Sequence, residues 1–264
     1  MSYDYCIVGA GLAGVVLAER LANQKNKKVL LIEKREHCGG NLYDEYDVDG
    51  ILIHRYGPHF FRTDEIAVWQ YLSKFTEWHH YEHKVKSNVI GMEVPFPINL
   101  DTYNAIFNDN LTSIEFKRWL ESNYFTDSPQ NAEESIINQV GEYLYELFFK
   151  NYTLKQWGQH PKELKADTVR RVPVRVDRES RYQLSRYQGI PIHGYTHMIK
   201  KMISNKNIHL MLNVDYKEVI DKFDFDFLIY TGPLDYFYDY KYGRLDYRSL
   251  KFKRKHFSKR RYRY

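Results

Sequence analysis

Residues 5 to 33 constrain this chain more than any other stretch. Tyr5-Cys-Ile-Val8 is a short apolar run that ends in Gly9-Ala-Gly11-Leu-Ala-Gly14, a GxGxxG pattern leaving a strand. Apolar residues then recur with helical spacing at Val15, Ala18, Leu21 and Ala22 until Asn23-Gln-Lys-Asn26 breaks the pattern, and a second apolar run, Val29 to Ile32, ends in Glu33. This is a βαβ unit with an acid 19 positions after the third glycine. Glycines there allow a tight turn and close backbone approach to a pyrophosphate at a helix N-terminus, and the acid accepts hydrogen bonds from ribose hydroxyls. The alternative is a glycine-rich turn with no ligand, but the strand, glycines, helix, second strand and acid all agree on a dinucleotide site. Gly39-Gly40-Asn41 follows Glu33 closely, and by comparison with two-dinucleotide-fold flavoproteins, where a second glycine pair lets the backbone approach the cofactor, it favours FAD over NAD.

Further along, Gly57-Pro58-His59 forms a turn, and His59 there is equally readable as a satisfied turn residue. Residues 89 to 98, VIGMEVPFPI, predict a β-hairpin whose prolines need an edge or a strand end. From about 101 to 170 the pattern is helical: Thr112 with Glu115 and Asn131 with Glu134 resemble capping boxes, and a helix closes at Gly158. The segment 170 to 187 carries too many Arg and Tyr for a core strand and predicts a half-exposed, anion-facing stretch. A helix after Gly194, a strand over 208–214 and another over 227–230, ended by Thr231-Gly-Pro, return to the α/β style of the start.

The chain of 264 residues, 43% hydrophobic and 28% charged, has room for one large or two ordinary domains, which excludes a disordered or collagenous chain. No apolar run approaches the ~18 residues of a spanning helix, and the N-terminus lacks a signal-peptide pattern. Two cysteines, Cys6 and Cys38, have neither disulfide-framework nor metal-ligand spacing, so the expectation is a cytoplasmic protein without a metal. Residues 251 to 264 hold eight Lys or Arg and no acid; without them 31 basic residues face 34 acidic ones.

The motifs together resemble UDP-galactopyranose mutases: VGAGLAG at 8–14, IEKREHCGGN at 32–41, YGPHFFRT at 56–63, VPFPIN at 94–99, YTLKQWG at 152–158, RRVPVR at 170–175, YQGIPIHGY at 187–195 and the run from Tyr230 to Phe252. The resemblance implies an α/β fold: a discontinuous Rossmann-like FAD-binding domain (1–78 and 188–234), a helical substrate domain (101–170), an antiparallel β-sheet domain (79–100, 171–187 and 235–252) and a basic tail (253–264). It implies FAD held by Gly9, Gly11, Gly14, Glu33, Gly40, Asn41, Gly57 and His59. It implies a UDP-galactose substrate met by His83, Phe148, Tyr152, Trp157, Arg175, Tyr182 and Tyr187. Phe148 also reads as core, Trp157 as an exposed stacking platform, and Arg175 as one solvated arginine among Arg170, Arg171 and Arg178. The implied reaction interconverts UDP-galactopyranose and UDP-galactofuranose, for surface glycans, with N5 of reduced FAD as nucleophile and no catalytic side chain; a homodimer is possible, with no nucleic-acid partner and no membrane insertion.

The chain departs from the family pattern at Arg62, where a histidine is usual, and at His193, where glycine is usual. Family members extend well beyond the position matching Phe252, so the expectation is a truncated member with weak FAD binding and little or no turnover. The competing readings are another FAD-dependent oxidoreductase, a binding module using the basic tail, with Phe257, Tyr262 and Tyr264, on nucleic acid or an anionic membrane, and an inactive remnant.

Overall fold

The computed structural model describes residues 2–168, 172–247, 249–253 and 255. The chain divides into two compact units, one formed by Met1–Tyr81 with Arg186–Tyr264 and the other by Glu82–Ser185. Arg170, Arg171 and most of the basic tail, Phe257, Tyr262 and Tyr264 included, lie outside the described residues.

The first unit opens with strand β1 (Ser2–Val8), helix α1 (Leu12–Lys25), β2 (Val29–Ile32), β3 (Asp44–Tyr46), β4 (Leu52–His54), β5 (Phe61–Thr63), α2 (Ile66–Leu72) and β6 (Trp78–His80). The second unit contributes β7 (Val85–Val89), β8 (Met92–Phe96) and the helices α3 (Leu100–Phe107), α4 (Ser113–Ser122), α5 (Ala132–Tyr145) and α6 (Asn151–Trp157). The chain then returns to the first unit with β9 (Tyr187–Pro191), α7 (Tyr195–Met202), β10 (Ile208–Met211), α8 (Tyr216–Val219), β11 (Asp224–Tyr230) and α9 (Leu234–Phe237).

The first unit is a doubly covered parallel sheet of order β10-β2-β1-β11. All four residues of β2 are buried, as a central parallel strand requires. Successive side chains alternate across the sheet. Ile7 and Leu31 therefore pack with Val15, Ala18, Met198 and Ile199 of α1 and α7, while Cys6, Val8, Leu30 and Ile32 face Tyr216 on the other side. Helix α1 buries a stripe of small residues, Gly14, Val15, Ala18 and Ala22, and ends where Asn26 takes a left-handed conformation at φ 49°.

The second unit buries one helical core around Phe116, Ile136, Val140, Leu144 and Tyr145, with Val89 and Val94 of the β7–β8 hairpin packed into it. Thr112 and Glu115 form the expected capping box. Asn131 accepts the Glu134 backbone N–H, while Glu134 turns its carboxylate to Gln130 N and the Asn131 amide. Gly158 ends α6 in a left-handed conformation at φ 66°.

Several expectations need correction. The hairpin runs from Val85 to Phe96 with its turn at Ile90-Gly91, so the stretch 89–98 held only its second strand. Its first strand, Val-Lys-Ser-Asn-Val, exposes alternate polar residues and carries no apolar run to announce it. The separate sheet domain is divided. Strand β6 pairs with β9 in the first unit, Trp78 opposite Pro191, in the sheet β5-β9-β6. The β7–β8 hairpin follows its valines into the second unit, and the described part of 235–252 is α9 and irregular chain. The strand expected over 208–214 stops at Met211, and the one expected from 227 begins at Asp224.

Candidate functional site

The glycine-rich loop occupies the carboxyl end of β1, where open α/β sheets place their ligands. Its three glycines do three different things. Gly9 has φ +102°, and a Cβ there would lie 2.3 Å from Thr231 Oγ1, so the loop passes directly under the end of β11. A Cβ on Gly14 would come within 1.9 Å of the Gly9 carbonyl oxygen, so this glycine lets α1 close onto the strand. Gly11 has ordinary dihedral angles and open space beside it; the nearest atom to an added Cβ is the Gly40 Cα at 4.0 Å.

The second glycine pair completes the cradle. Gly39 N donates to Ala10 O at 2.8 Å, which draws Gly40 over the first loop, and a Cβ on Gly40 would meet the Gly11 Cα at 3.0 Å. Two backbones thus face each other with no side chain between them. Glu33 is buried beside them, its carboxylate accepting Ala10 N at 2.8 Å and Arg35 N at 2.9 Å. Each oxygen keeps a second lone pair for a hydroxyl donor.

These groups open onto a cavity of about 550 Å³, within the range of small-molecule sites. Gly9, Gly11, Glu33, Gly40 and Asn41 line it. Gly14, Gly57 and His59 do not: Gly14 packs α1 onto β1, while His59 Nδ1 lies 2.8 Å from Gly57 O and its backbone N–H donates to His54 Nδ1 at 2.8 Å. Gly57 has φ +94°, and a Cβ there would meet the Phe252 ring at 3.4 Å.

Sequence reasoning missed the far wall of this cavity, made by Lys34, Arg35, Asp215, Tyr216, Tyr230 and Tyr236. Asp215 accepts Lys34 Nζ at 3.0 Å and the Tyr236 hydroxyl at 2.6 Å, and Lys34 and Lys217 lie 5.0 and 4.2 Å from the Tyr236 ring centroid. The Asp215 carboxylate, foremost among these effects, raises the Tyr236 phenol to about 12, which keeps its proton on the shared bond. The available signal was position: these residues lie at or just beyond the carboxyl ends of β2, β10 and β11, beside the glycine loop.

In the second unit Phe148 is buried in the helical core, its ring stacked at 6.3 Å from that of Phe96. The Phe96 ring lies 6.5 Å from Tyr182, whose ring meets His83 edge-on at 5.9 Å. Burial lowers the pKa of His83, favouring the neutral imidazole. Arg175 joins the same group: its guanidinium donates to the carbonyls of Glu179 (3.3 Å), Tyr182 (3.2 Å) and Arg181. It is therefore held by a strap of carbonyl oxygens and not loosely solvated. Arg181 in turn bonds Glu179 at 2.6 Å and Glu82 at 3.0 Å, and the Arg181 hydrogen bond holds the Glu179 carboxyl at about 2.

Tyr152 is 60% exposed on α6, whereas Trp157, expected as an exposed platform, is half-buried against the helical core. The turn just before α6, Glu146–Lys150, is a π-helix and contains Phe148; such wide turns recur at functional sites. Tyr187 belongs to the first unit, stacked 5.4 Å from Trp69. The sequence-predicted set thus divides into a dinucleotide cradle and Tyr187 in the first unit and a Phe148–Tyr182–His83–Arg175 array in the second. Among the described residues, no group of three or more His, Cys, Asp or Glu side chains forms a metal site.

Comparison with known proteins gives two family matches. Residues 147–264 match the UDP-galactopyranose mutase model, and residues 7–75 match a NAD(P)-binding Rossmann-like domain. The chain is 40% identical over 251 residues to a probable UDP-galactopyranose mutase of Klebsiella pneumoniae, covering 94% of this chain and 65% of that one. It is 37% identical to a dTDP-fucopyranose mutase of Escherichia coli, over 94% of this chain and 68% of the relative. It is 32% identical to a UDP-galactopyranose mutase of Mycoplasma genitalium, over 99% and 68% respectively. The chain thus spans about two thirds of the length of these relatives. A crystal structure of reduced UDP-galactopyranose mutase has the same fold over 89% of this chain and 56% of that one, with a TM-score of 0.64 at 22% identity.

Proposed function

The chain belongs to the UDP-galactopyranose mutase family, and from that membership we propose that it holds FAD in the glycine cradle and interconverts UDP-galactopyranose and UDP-galactofuranose. The observation that carries the cofactor half of this reading is the approach of Gly11 to Gly40. A Cβ on Gly40 would lie 3.0 Å from the Gly11 Cα, so no side chain fits at Gly40, and two bare backbones line the cavity where a ligand that binds through backbone N–H groups can approach them. On this reading Glu33 takes the ribose hydroxyls, Asn41 lies at the open rim, and Gly57 and His59 serve the flavin end from outside the cavity. Reduced FAD bound there supplies the nucleophile for exchange at the anomeric carbon, so that no side chain need attack.

The protein's own work is then orientation and charge. Tyr152, exposed and planar, is suited to stack on uracil, with Phe148 behind it as a rigid core residue and Trp157 fixing the end of α6. Arg175 is assigned to the diphosphate, because a planar guanidinium offers paired donors to phosphate oxygens. It now bonds neutral carbonyls, so exchanging them for charged oxygens strengthens each bond, roughly twofold by the general ratio. Tyr182, His83 and Tyr187 complete the proposed substrate contacts. Two buried thiols, Cys6 and Cys38, suit a reducing compartment, and we place the protein in the cytoplasm, acting as a homodimer that feeds galactofuranose to surface glycans. No helix among the described residues is long and apolar enough to cross a membrane.

The test is a visible spectrum of the protein with FAD, followed by reduction with dithionite and addition of UDP-galactopyranose. Flavin binding with formation of UDP-galactofuranose supports the reading. Net oxidation of a substrate without need of UDP refutes it, and turnover of dTDP-fucopyranose in preference to the UDP-sugar moves the substrate assignment to the chemistry named for the E. coli relative.

A further inference from the structure

A second cleft lies in the first unit, outside the nucleotide cavity and sharing no residue with it. It has a volume of about 520 Å³ and lies between the β3–β4 hairpin and the outer face of α7. Four side chains of one stripe project there: His193, His197, Lys200 and Lys201, spaced at the helical period, with the two imidazole rings 5.4 Å apart and edge-on. All four are exposed, and none forms an ion pair among the described residues. His193 stands directly before Gly194, whose φ of +83° turns the chain into α7 and sets His193 one turn before His197.

The cleft also contains two carboxylates, and both are already committed. Asp44 is buried and caps α7, accepting Tyr195 N at 2.6 Å and Thr196 N at 2.8 Å. Glu45 accepts the Tyr43 hydroxyl at 3.1 Å and pairs with Arg55 at 3.5 Å. Asp44 is thus screened by backbone N–H groups at the start of α7 and Glu45 by Arg55, which leaves two ammonium groups and two imidazoles as the donors of the cleft with no ion-pair partner among the described residues. Tyr43 and the exposed Tyr46 form its aromatic side.

We propose that this cleft binds a small phosphate-bearing ligand, its phosphate on His193, His197, Lys200 and Lys201 and its organic part against Tyr46. Two ammonium groups beside the imidazoles oppose a divalent cation, Asp44 and Glu45 are engaged by α7 and Arg55, and among the described residues no group of three or more His, Cys, Asp or Glu side chains is placed to hold a metal. The cluster of four donors suits the several acceptor oxygens of a phosphate, and the volume accommodates a sugar phosphate or a mononucleotide. The site does not depend on the mutase reading.

The experiment follows the ring C–H signals of His193 and His197 by NMR while the protein is titrated with inorganic phosphate, then with galactose 1-phosphate, and with sodium chloride at matched ionic strength. Saturable shifts with both phosphates, tighter for the sugar phosphate, support the site. In the variant carrying Lys200→Gln and Lys201→Gln, both exposed positions that leave the core untouched, binding weakens about tenfold or more, the scale of a lost charge-assisted hydrogen bond. Equal shifts with chloride, unchanged titration in the variant, shifts abolished by saturating FAD, or shifts that require zinc and vanish with EDTA would each overturn the proposal.

Discussion

Replacing Gly11 and Gly14 by alanine, one at a time, separates a glycine kept for the fold from a glycine kept for a ligand. At Gly14 the added Cβ lies 1.9 Å from a backbone oxygen, whereas ordinary contact begins near 3.4 Å, so α1 must move off β1 by about 1.5 Å. Overpacking against immovable backbone costs about 3 kcal/mol, and the better helix propensity of alanine returns up to about 1 kcal/mol of it. The net loss of about 2 kcal/mol corresponds to a Tm lowered by roughly 4–8 °C. At Gly11 the Cβ meets nothing closer than 4.0 Å, and φ is −69°, so alanine is tolerated and removes freedom from the unfolded chain. Gly11→Ala should melt at or slightly above the parent temperature, a gain of about 0.5 kcal/mol. Its cost falls on FAD: a methyl in the cradle displaces the pyrophosphate from one or two backbone donors, weakening binding by roughly tenfold to a hundredfold. Calorimetry gives the melting temperatures, and quenching of flavin fluorescence gives the affinities. A Gly11→Ala protein that binds FAD like its parent, or a Gly14→Ala protein that melts with it, refutes the reasoning.

Three further outcomes follow from the geometry. Asp44→Ala removes the buried cap of α7 together with two backbone donors' partner, and should cost about 2 kcal/mol, read as a lower urea midpoint at unchanged slope. Phe148→Ala should cost about 3 kcal/mol as a core truncation, whereas Tyr152→Ala should stay within about 0.5 kcal/mol of the parent and lower only the affinity for UDP, measured by calorimetric titration. The Glu179 carboxyl, lowered from 4.5 to about 2 chiefly by the Arg181 hydrogen bond, contributes its stabilisation fully above the ordinary value and loses it as pH falls toward about 2. Amide exchange at Tyr182, whose N–H bonds His83 O at 2.7 Å, should therefore stay protected at about pH 5 and open only in the window below about pH 4.5; opening at higher pH would contradict the assignment.

What the sequence made legible was whatever rests on local backbone chemistry. Glycines, an acid at fixed spacing and apolar periodicity located β1, α1 and β2 and five of the residues lining the cavity, because each of those signals is written within about thirty residues. Residues whose partners come from distant chain were not legible. Tyr236 bonds Asp215, and Lys34 reaches the same carboxylate from 181 positions away; nothing local marks any of the three. Strand β9 carries no strong signal of its own, yet by pairing with both β5 and β6 it keeps residues 78–81 in the first unit and splits the expected sheet domain. Spacing also cannot distinguish a side chain that faces a ligand from one that supports it. Phe148 and Tyr152 are four apart on continuous helical turns, yet one is 8% and the other 60% exposed. The π-helical turn Glu146–Lys150 adds a residue to the turn between them and so changes the face that α6 presents. The motif match names both aromatics, with Phe148 also readable as core; packing places Phe148 in the core and leaves Tyr152 exposed.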